Sequence, residues 1–201
     1  MELIFLFFTG FTIGISGAVI PGPLTLFTVS RTLTGGPFTG LKVITGHVLV
    51  ELSIVIAITF GLRSIFSSSA FLMYMSIAGA AAFIIMGGLL CYNARYMKLS
   101  LTRDVRKSEK GLIAGGFFFS AVSPGFIIWW GTIGIATLLR AFSAGVVGVM
   151  VLCIGHWFAD AVWYGLLSYV VDRGKRFLSE KRYQNILFIC GLLLVALGVY
   201  F

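Results

Sequence analysis

Charged residues are scarce in this sequence. Its 201 residues include 15 basic and seven acidic side chains, whereas 59% of the residues are hydrophobic. A soluble helical domain needs a polar outer face, and this composition cannot supply one. Charge is almost absent from six long stretches: Leu3–Ile20, Val43–Leu62, Ala70–Tyr92, Leu112–Leu139, Val146–Val171 and Ile186–Phe201. The composition therefore excludes a soluble protein built of buried helices.

Cysteine is also rare. The three cysteines, Cys91, Cys153 and Cys190, have no close partner along the chain and no metal-ligand spacing. An odd number of cysteines inside apolar stretches is typical of packing. We therefore expect no disulfide framework and no resident cofactor.

The lengths of the apolar stretches predict membrane spans. Crossing roughly 30 Å of hydrocarbon takes about 20 apolar residues, and all six stretches meet or approach that length. The first one starts with Met1-Glu2 and continues into Pro21-Gly22-Pro23, without the basic start and cleavage site of a signal peptide. We predict an all-α, multi-pass membrane protein of six transmembrane helices, with no separate soluble domain.

The distribution of basic residues predicts the orientation. If the loops alternate between the two sides, 13 of the 15 basic residues fall on one side, and Arg63 and Arg140 fall on the other. Basic loops stay in the cytoplasm, so both termini should lie outside. The net charge of +8 thus reflects the topology and does not indicate a nucleic-acid partner. Attraction of the basic loops to anionic lipid is a secondary interpretation of the same charge.

The two halves of the chain share three patterns in the same order. Ala18-Val19-Ile20-Pro21-Gly22 recurs as Ala121-Val122-Ser123-Pro124-Gly125, and Gly46-His47 with Glu51 recurs as Gly155-His156 with Asp160. Spaced glycines follow in each half: Gly79 and Gly87, then Gly191 and Gly198. We predict a three-helix repeat over residues 1–92, a basic cytoplasmic loop over 93–110 and a second repeat over 111–201. Because three is odd, the second repeat is inverted, as in many secondary transporters.

Proline should break the first helix of each repeat. Proline has no N–H, so the helical hydrogen bond to an upstream carbonyl is lost, and glycine loosens the backbone beside it. The restarting helices expose N–H groups that can hold a carboxylate, and freed carbonyls such as that of Ser120 can hold an ammonium. The alternative is a purely structural kink. The candidate substrate groups at these breaks are Pro21, Gly22, Pro23, Thr25, Pro124 and Gly125.

Two acidic residues lie deep inside predicted spans. Glu51 follows His47 by four residues, and Asp160 follows His156 by four, so each pair shares one helix face. Intramembrane carboxylates are costly and usually mark a pathway or a proton relay. Three interpretations stay open: a buried structural hydrogen bond in each pair, a proton or substrate site, and a divalent-metal site formed by all four residues.

The broken first helix with Pro21-Gly22-Pro23, the second helix centred on Gly46, the glycine-bearing third helix and the proline of helix 4 together resemble the LysE/RhtB family of amino-acid exporters. The resemblance spans nearly the whole chain. It implies export, driven by the proton-motive force, of amino acids or similar small zwitterions across the plasma membrane of a prokaryote, often by a homodimer.

The first hypothesis is therefore a proton-coupled exporter of amino acids or related small metabolites, an antiporter in which Glu51 and Asp160 exchange the proton. The alternative is a divalent-metal transporter that uses His47, Glu51, His156 and Asp160. An enzyme is not expected, because the sequence has neither a nucleophile with a positioned base nor a His-Glu-x-x-His motif.

Overall fold

The chain is all-helical in the part that the computed structural model describes, which is residues 2–19, 22–61, 68–96 and 109–200. No strand occurs within these ranges. The α-helices are α1 (Glu2–Ala18), α2 (Pro23–Gly35), α3 (Thr39–Thr59), α4 (Ser69–Ala94), α5 (Glu109–Ala121), α6 (Pro124–Trp129), α7 (Ile135–Ala141), α8 (Gly145–Gly174) and α9 (Glu180–Tyr200). A π-helix (Trp130–Gly134) joins α6 to α7, and 3₁₀ turns (Phe142–Ala144 and Lys175–Phe177) flank α8.

Several of these helices are long and apolar enough to cross a membrane. Among the described residues, Thr39–Thr59, Ile77–Ala94, Pro124–Phe177 and Glu180–Tyr200 pass this test singly, and α1 with α2 passes it as one broken span. The stretch from Pro124 has 54 residues, and Gly145, with a φ of 68°, turns the chain within it. The prediction of a helical membrane protein is confirmed, whereas the number of six spans stays a prediction.

The outer surface is as apolar as a lipid-facing surface must be. Large hydrophobic side chains are more than half exposed on several helices, for example those of Ile4, Phe8, Ile77, Met150 and Leu166. Soluble monomers rarely expose apolar area on this scale. These side chains therefore face hydrocarbon in the membrane.

Both helix breaks begin with a proline at the start of the new helix. α2 starts at Pro23 after Gly22, whose extended backbone has no side-chain cap. α6 starts at Pro124 after Ser123, whose hydroxyl accepts a hydrogen bond from the Phe126 N–H at 3.4 Å. Pro21 and most of the predicted loop over 93–110 lie outside the described residues.

Close helix packing depends on the glycines of the Gly-His patterns. The tightest packing in the described part of the chain joins α1 to α8, α3 to α5 and α4 to α9. A Cβ on Gly46 would collide with the carbonyl oxygen of Ile113 on α5, and a Cβ on Gly155 would collide with that of Phe7 on α1. The two glycines therefore let α3 and α8 approach their partners at the level of the neighbouring histidines.

Buried apolar side chains lie on both sides of the level of His47 and His156. One cluster of buried side chains includes Ile54, Leu138 and Leu152, and a second includes Val43 and Phe83. Buried polar side chains, among them those of His47, Glu51 and Asp160, are also part of the interior.

We expect Gly46→Ala and Gly155→Ala each to lower the stability of the protein by about 1–3 kcal/mol, because the helices must move apart to admit the methyl group. Thermal unfolding of the purified protein in detergent measures the effect. Gly88→Ala is the matched control, since a Cβ there would meet nothing within 4 Å. Equal melting temperatures for Gly46→Ala and Gly88→Ala would contradict the packing role.

Candidate functional site

Four residues predicted from two distant parts of the chain meet in the interior. α3 carries His47 and Glu51, α8 carries His156 and Asp160, and these helices pack against each other. The side chains of Glu51 and Asp160 are 1% and 4% exposed, and those of the two histidines 10% and 12%. We call these four residues the His–acid cluster.

Glu51 is the most strongly bound member of the cluster. Its Oε1 lies 3.2 Å from His47 Nε2 and 3.1 Å from His156 Nε2. The same oxygen accepts a hydrogen bond from Trp130 Nε1 at 3.2 Å. Three groups from three helical elements thus converge on one carboxylate oxygen.

A neighbouring serine defines which nitrogen of His47 carries a proton. Ser120 Oγ donates its only proton to the Gly116 carbonyl at 2.7 Å, so it must accept the hydrogen bond from His47 Nδ1, also 2.7 Å long. Two arrangements are then possible between His47 Nε2 and Glu51. Either His47 is an imidazolium whose Nε2–H donates to the Glu51 carboxylate, or His47 is neutral and its Nε2 accepts a hydrogen bond from a protonated Glu51 carboxyl group. In both arrangements one exchangeable proton lies between the two side chains.

Asp160 is surrounded differently. Its Oδ2 lies 3.7 Å from His47 Nε2 and 3.6 Å from His156 Nε2, which is beyond hydrogen-bonding distance. This oxygen accepts no hydrogen bond from any residue that the structure describes, and the same is true of Glu51 Oε2. Unpaired buried carboxylate oxygens are costly, so they indicate a place where a proton or another cation binds.

A cavity of about 370 Å³ opens next to the cluster, within the size range of small-molecule sites. All four cluster residues line it, as do Tyr164 and both helix breaks. Its apolar walls include Phe119, Phe126, Trp129 and Leu197, and among the residues that the structure describes no lysine or arginine lines it.

The predicted break residues have different positions relative to this cavity. Gly22, Pro23 and Gly125 line it, whereas Pro124 is buried at the start of α6 and is not part of the lining. Thr25 is also outside the lining, and its hydroxyl lies 3.2 Å from the Tyr164 hydroxyl.

The structure adds a detail to the second break. The carbonyl of Ser120, which loses its helical partner at Pro124, accepts the Ser123 N–H at 3.1 Å in a tight turn at the end of α5. The start of α6 is likewise capped by Ser123, whereas the start of α2 has no side-chain cap.

Sequence reasoning missed three polar partners. Ser120 orients His47, Trp130 binds Glu51, and Tyr164 lines the cavity. Helical spacing contained a weak signal, since Tyr164 follows Asp160 by four residues and Ser120 precedes Pro124 by four. Nothing in the sequence indicated that the Trp130 indole would reach α3.

The cluster also has the donor types of a metal site. One ligand atom from each of His47, Glu51 and Asp160 lies within 4.8 Å of the others. Imidazole with carboxylate suits divalent transition metals, so the donor set fits such an ion as a bound or transported species.

The comparison with known families covers both halves of the chain. The family model for LysE type translocators matches residues 15–201, which include both breaks and the whole His–acid cluster. No curated protein and no solved structure matches the chain.

We expect Ser120→Ala to destabilise the protein by about 1–3 kcal/mol, because the buried Nδ1–H of His47 loses its acceptor. Thermal unfolding in detergent measures the loss. Ser53→Ala is the matched control, since Ser53 is an exposed helical serine whose hydroxyl bonds only the Leu49 carbonyl one turn before it. If both alanine variants melt alike, the His47–Ser120 hydrogen bond is not a stabilising contact.

Proposed function

The chain belongs to the LysE type translocator family, and from this we propose that it exports amino acids or related small metabolites in exchange for protons. Family membership makes it a membrane transporter and not an enzyme, and the resemblance seen in the sequence is confirmed. The substrate class, the proton coupling and the plasma membrane of a prokaryote as its location are parts of the proposal.

The observation that carries the proposal is the His–acid cluster at the wall of a central cavity between two helix breaks. An amino acid presents one ammonium and one carboxylate. The cavity offers buried carboxylate oxygens for the first. For the second it offers backbone N–H groups at the start of α2, where Gly22 and Leu24 line it and Gly22 provides no side-chain cap. Protons that neutralise the same carboxylates compete with the ammonium, and this competition is the physical basis of exchange.

We further propose that the protein has six spans in two inverted repeats, over residues 1–92 and 111–201. Two observations support this arrangement. Pro124–Phe177 is long enough for two crossings joined at Gly145. The packing of α1 on α8 has a counterpart in the packing of α5 on α3, and Gly87 and Gly191 approach each other where α4 meets α9.

Two further cavities support alternating access. One of about 420 Å³ is lined by residues that include Phe27, Arg31, Thr34 and Phe119. Phe119 also lines the central cavity, and its ring stacks on that of Phe27 with the ring centroids 4.7 Å apart. The other, of about 20 Å³, is lined by residues that include Trp130 and Thr137.

These two cavities occupy equivalent positions in the proposed repeats. Phe27 and Trp130 each follow a break proline by six residues, and Thr34 and Thr137 each follow it by 13. The wide cavity lies beside Arg31, on the side to which the basic loops are assigned. A pathway that is wide on the cytoplasmic side and narrow on the other is typical of an inward-facing transporter.

The alternative of divalent-metal transport is not favoured, because the family consists of translocators of the LysE type. A homodimer remains part of the proposal only because the resemblance to the family implies one.

Transport in proteoliposomes tests the proposal. Labelled amino acids should cross the membrane when a pH gradient is imposed and should stop when a protonophore collapses it. The double variant Glu51→Gln, Asp160→Asn should lose at least about nine-tenths of the gradient-driven flux, because neither carboxyl group then exchanges a proton.

Asp172→Asn is the control, because Asp172 is a second aspartate of α8 that pairs with Lys175 at 2.7 Å, away from the cavity. This variant should retain the flux. Gradient-driven flux that is equal in the wild type and in the double variant would refute the coupling role, and absence of flux for every amino acid tested would refute the substrate class.

A further inference from the structure

The two carboxylates of the His–acid cluster are not equivalent, although they occupy matching places in the two halves. Glu51 Oε1 receives three groups at 3.1–3.2 Å. Asp160 has two imidazole nitrogens at 3.6 and 3.7 Å from Oδ2, and that oxygen accepts no hydrogen bond within the described part of the chain. Glu51 is therefore bound by three neighbouring groups, whereas Asp160 Oδ2 has no hydrogen-bond donor among the described residues.

The cause is a difference in side chains between the halves. The donor to Glu51 is Trp130, six residues after Pro124. The residue six positions after Pro21 is Phe27, which has no N–H and instead stacks on Phe119. The first half therefore has no indole at the position that corresponds to Trp130, from which Trp130 binds Glu51.

Asp160 is also well placed for a ligand. Asp160 is 3% exposed and lines the central cavity. Tyr164, one helical turn further along α8, contacts Thr25 in the first turn of α2 at 3.2 Å. The contact brings the uncapped N-terminus of α2 next to the face of α8 that carries Asp160, so a cationic and an anionic group of one small ligand can be bound together.

We propose that Asp160 binds the ammonium group of the transported amino acid, whereas Glu51 positions the two imidazoles and serves only the proton exchange; this rests on the proposed function. The carboxylate of the substrate binds at the start of α2, at the backbone N–H groups of Gly22 and Leu24, which line the cavity. The side chain of the substrate faces the walls formed by Phe119, Phe126 and Leu197, so the substrates are neutral amino acids with apolar side chains.

Glu51 also has one unpaired oxygen, Oε2, so it is the competing candidate for the ammonium. Removing the charge of Glu51 or of Asp160 should affect the stability of the ligand-free protein differently. Glu51→Gln removes the anion that three groups contact, whereas Asp160→Asn removes an anion without a hydrogen bond to Oδ2. We therefore expect Glu51→Gln to lower the melting temperature more than Asp160→Asn does.

Ligand binding to the full-length protein in nanodiscs gives the second measurement. The probes are L-leucine, its deaminated analogue 4-methylpentanoate, and ZnCl₂. We expect the wild type to bind leucine at least tenfold more tightly than 4-methylpentanoate, which lacks only the ammonium. Asp160→Asn should remove most of this preference, whereas Glu51→Gln and Trp130→Phe should retain it.

Each result either supports or overturns the assignment. A preference for leucine that survives in Asp160→Asn, or is lost only in Glu51→Gln, overturns the role of Asp160 while leaving amino-acid transport intact. Transport of amino acids without binding of leucine overturns the apolar substrate class alone. If no amino acid is bound or transported, the proposed function fails together with this assignment. Tight binding of Zn²⁺ that requires Asp160 identifies a metal and not an ammonium as the ligand.

Discussion

The structure depends on how carboxylates are accommodated inside a membrane. Hydrocarbon offers no solvation, so a charged side chain there needs partners from the protein or from a ligand. Glu51 obtains them from His47, His156 and Trp130, which belong to three different helical elements. The contacts require α3 and α8 to pack against each other. The glycines next to the histidines let α3 pack closely on α5 and α8 pack closely on α1 at the same level of the bundle. Close helix packing and the polar cluster therefore occur at one level of the structure.

The two halves of the chain place similar groups beside one cavity, but they do not satisfy them equally. The Gly-His-acid pattern of each half contributes one acid to the cavity wall. Trp130 binds Glu51, whereas Phe27 stacks on Phe119 and has no N–H to donate. The same two side chains line different cavities, since Phe27 lines one of about 420 Å³ and Trp130 lines one of about 20 Å³.

Much of the site could be predicted from helical spacing. Residues four apart share a helix face, so His47 with Glu51 and His156 with Asp160 could be paired before the fold was known. The sequence named the residues of the two breaks as candidate substrate groups. Gly22, Pro23 and Gly125 line the cavity, whereas Thr25 and Pro124 do not. Ser120 and Trp130 could not be assigned to the cluster, because their contacts cross between helices that are 73 and 79 residues apart in the chain.

The sequence by itself determined that the chain is a helical membrane protein. The free energy of transfer from water to lipid is a property of each side chain, and these free energies add up along a helix. It also determined the positions of the helix breaks, because the missing N–H of proline acts locally. Only the tertiary structure decided which carboxylate oxygens accept hydrogen bonds within the described part of the chain. It also decided that Ser123 caps the start of α6, whereas Gly22 provides no side-chain cap for α2. Hydrogen bonds between distant residues depend on separations of a few tenths of an ångström, which arise when the helices pack.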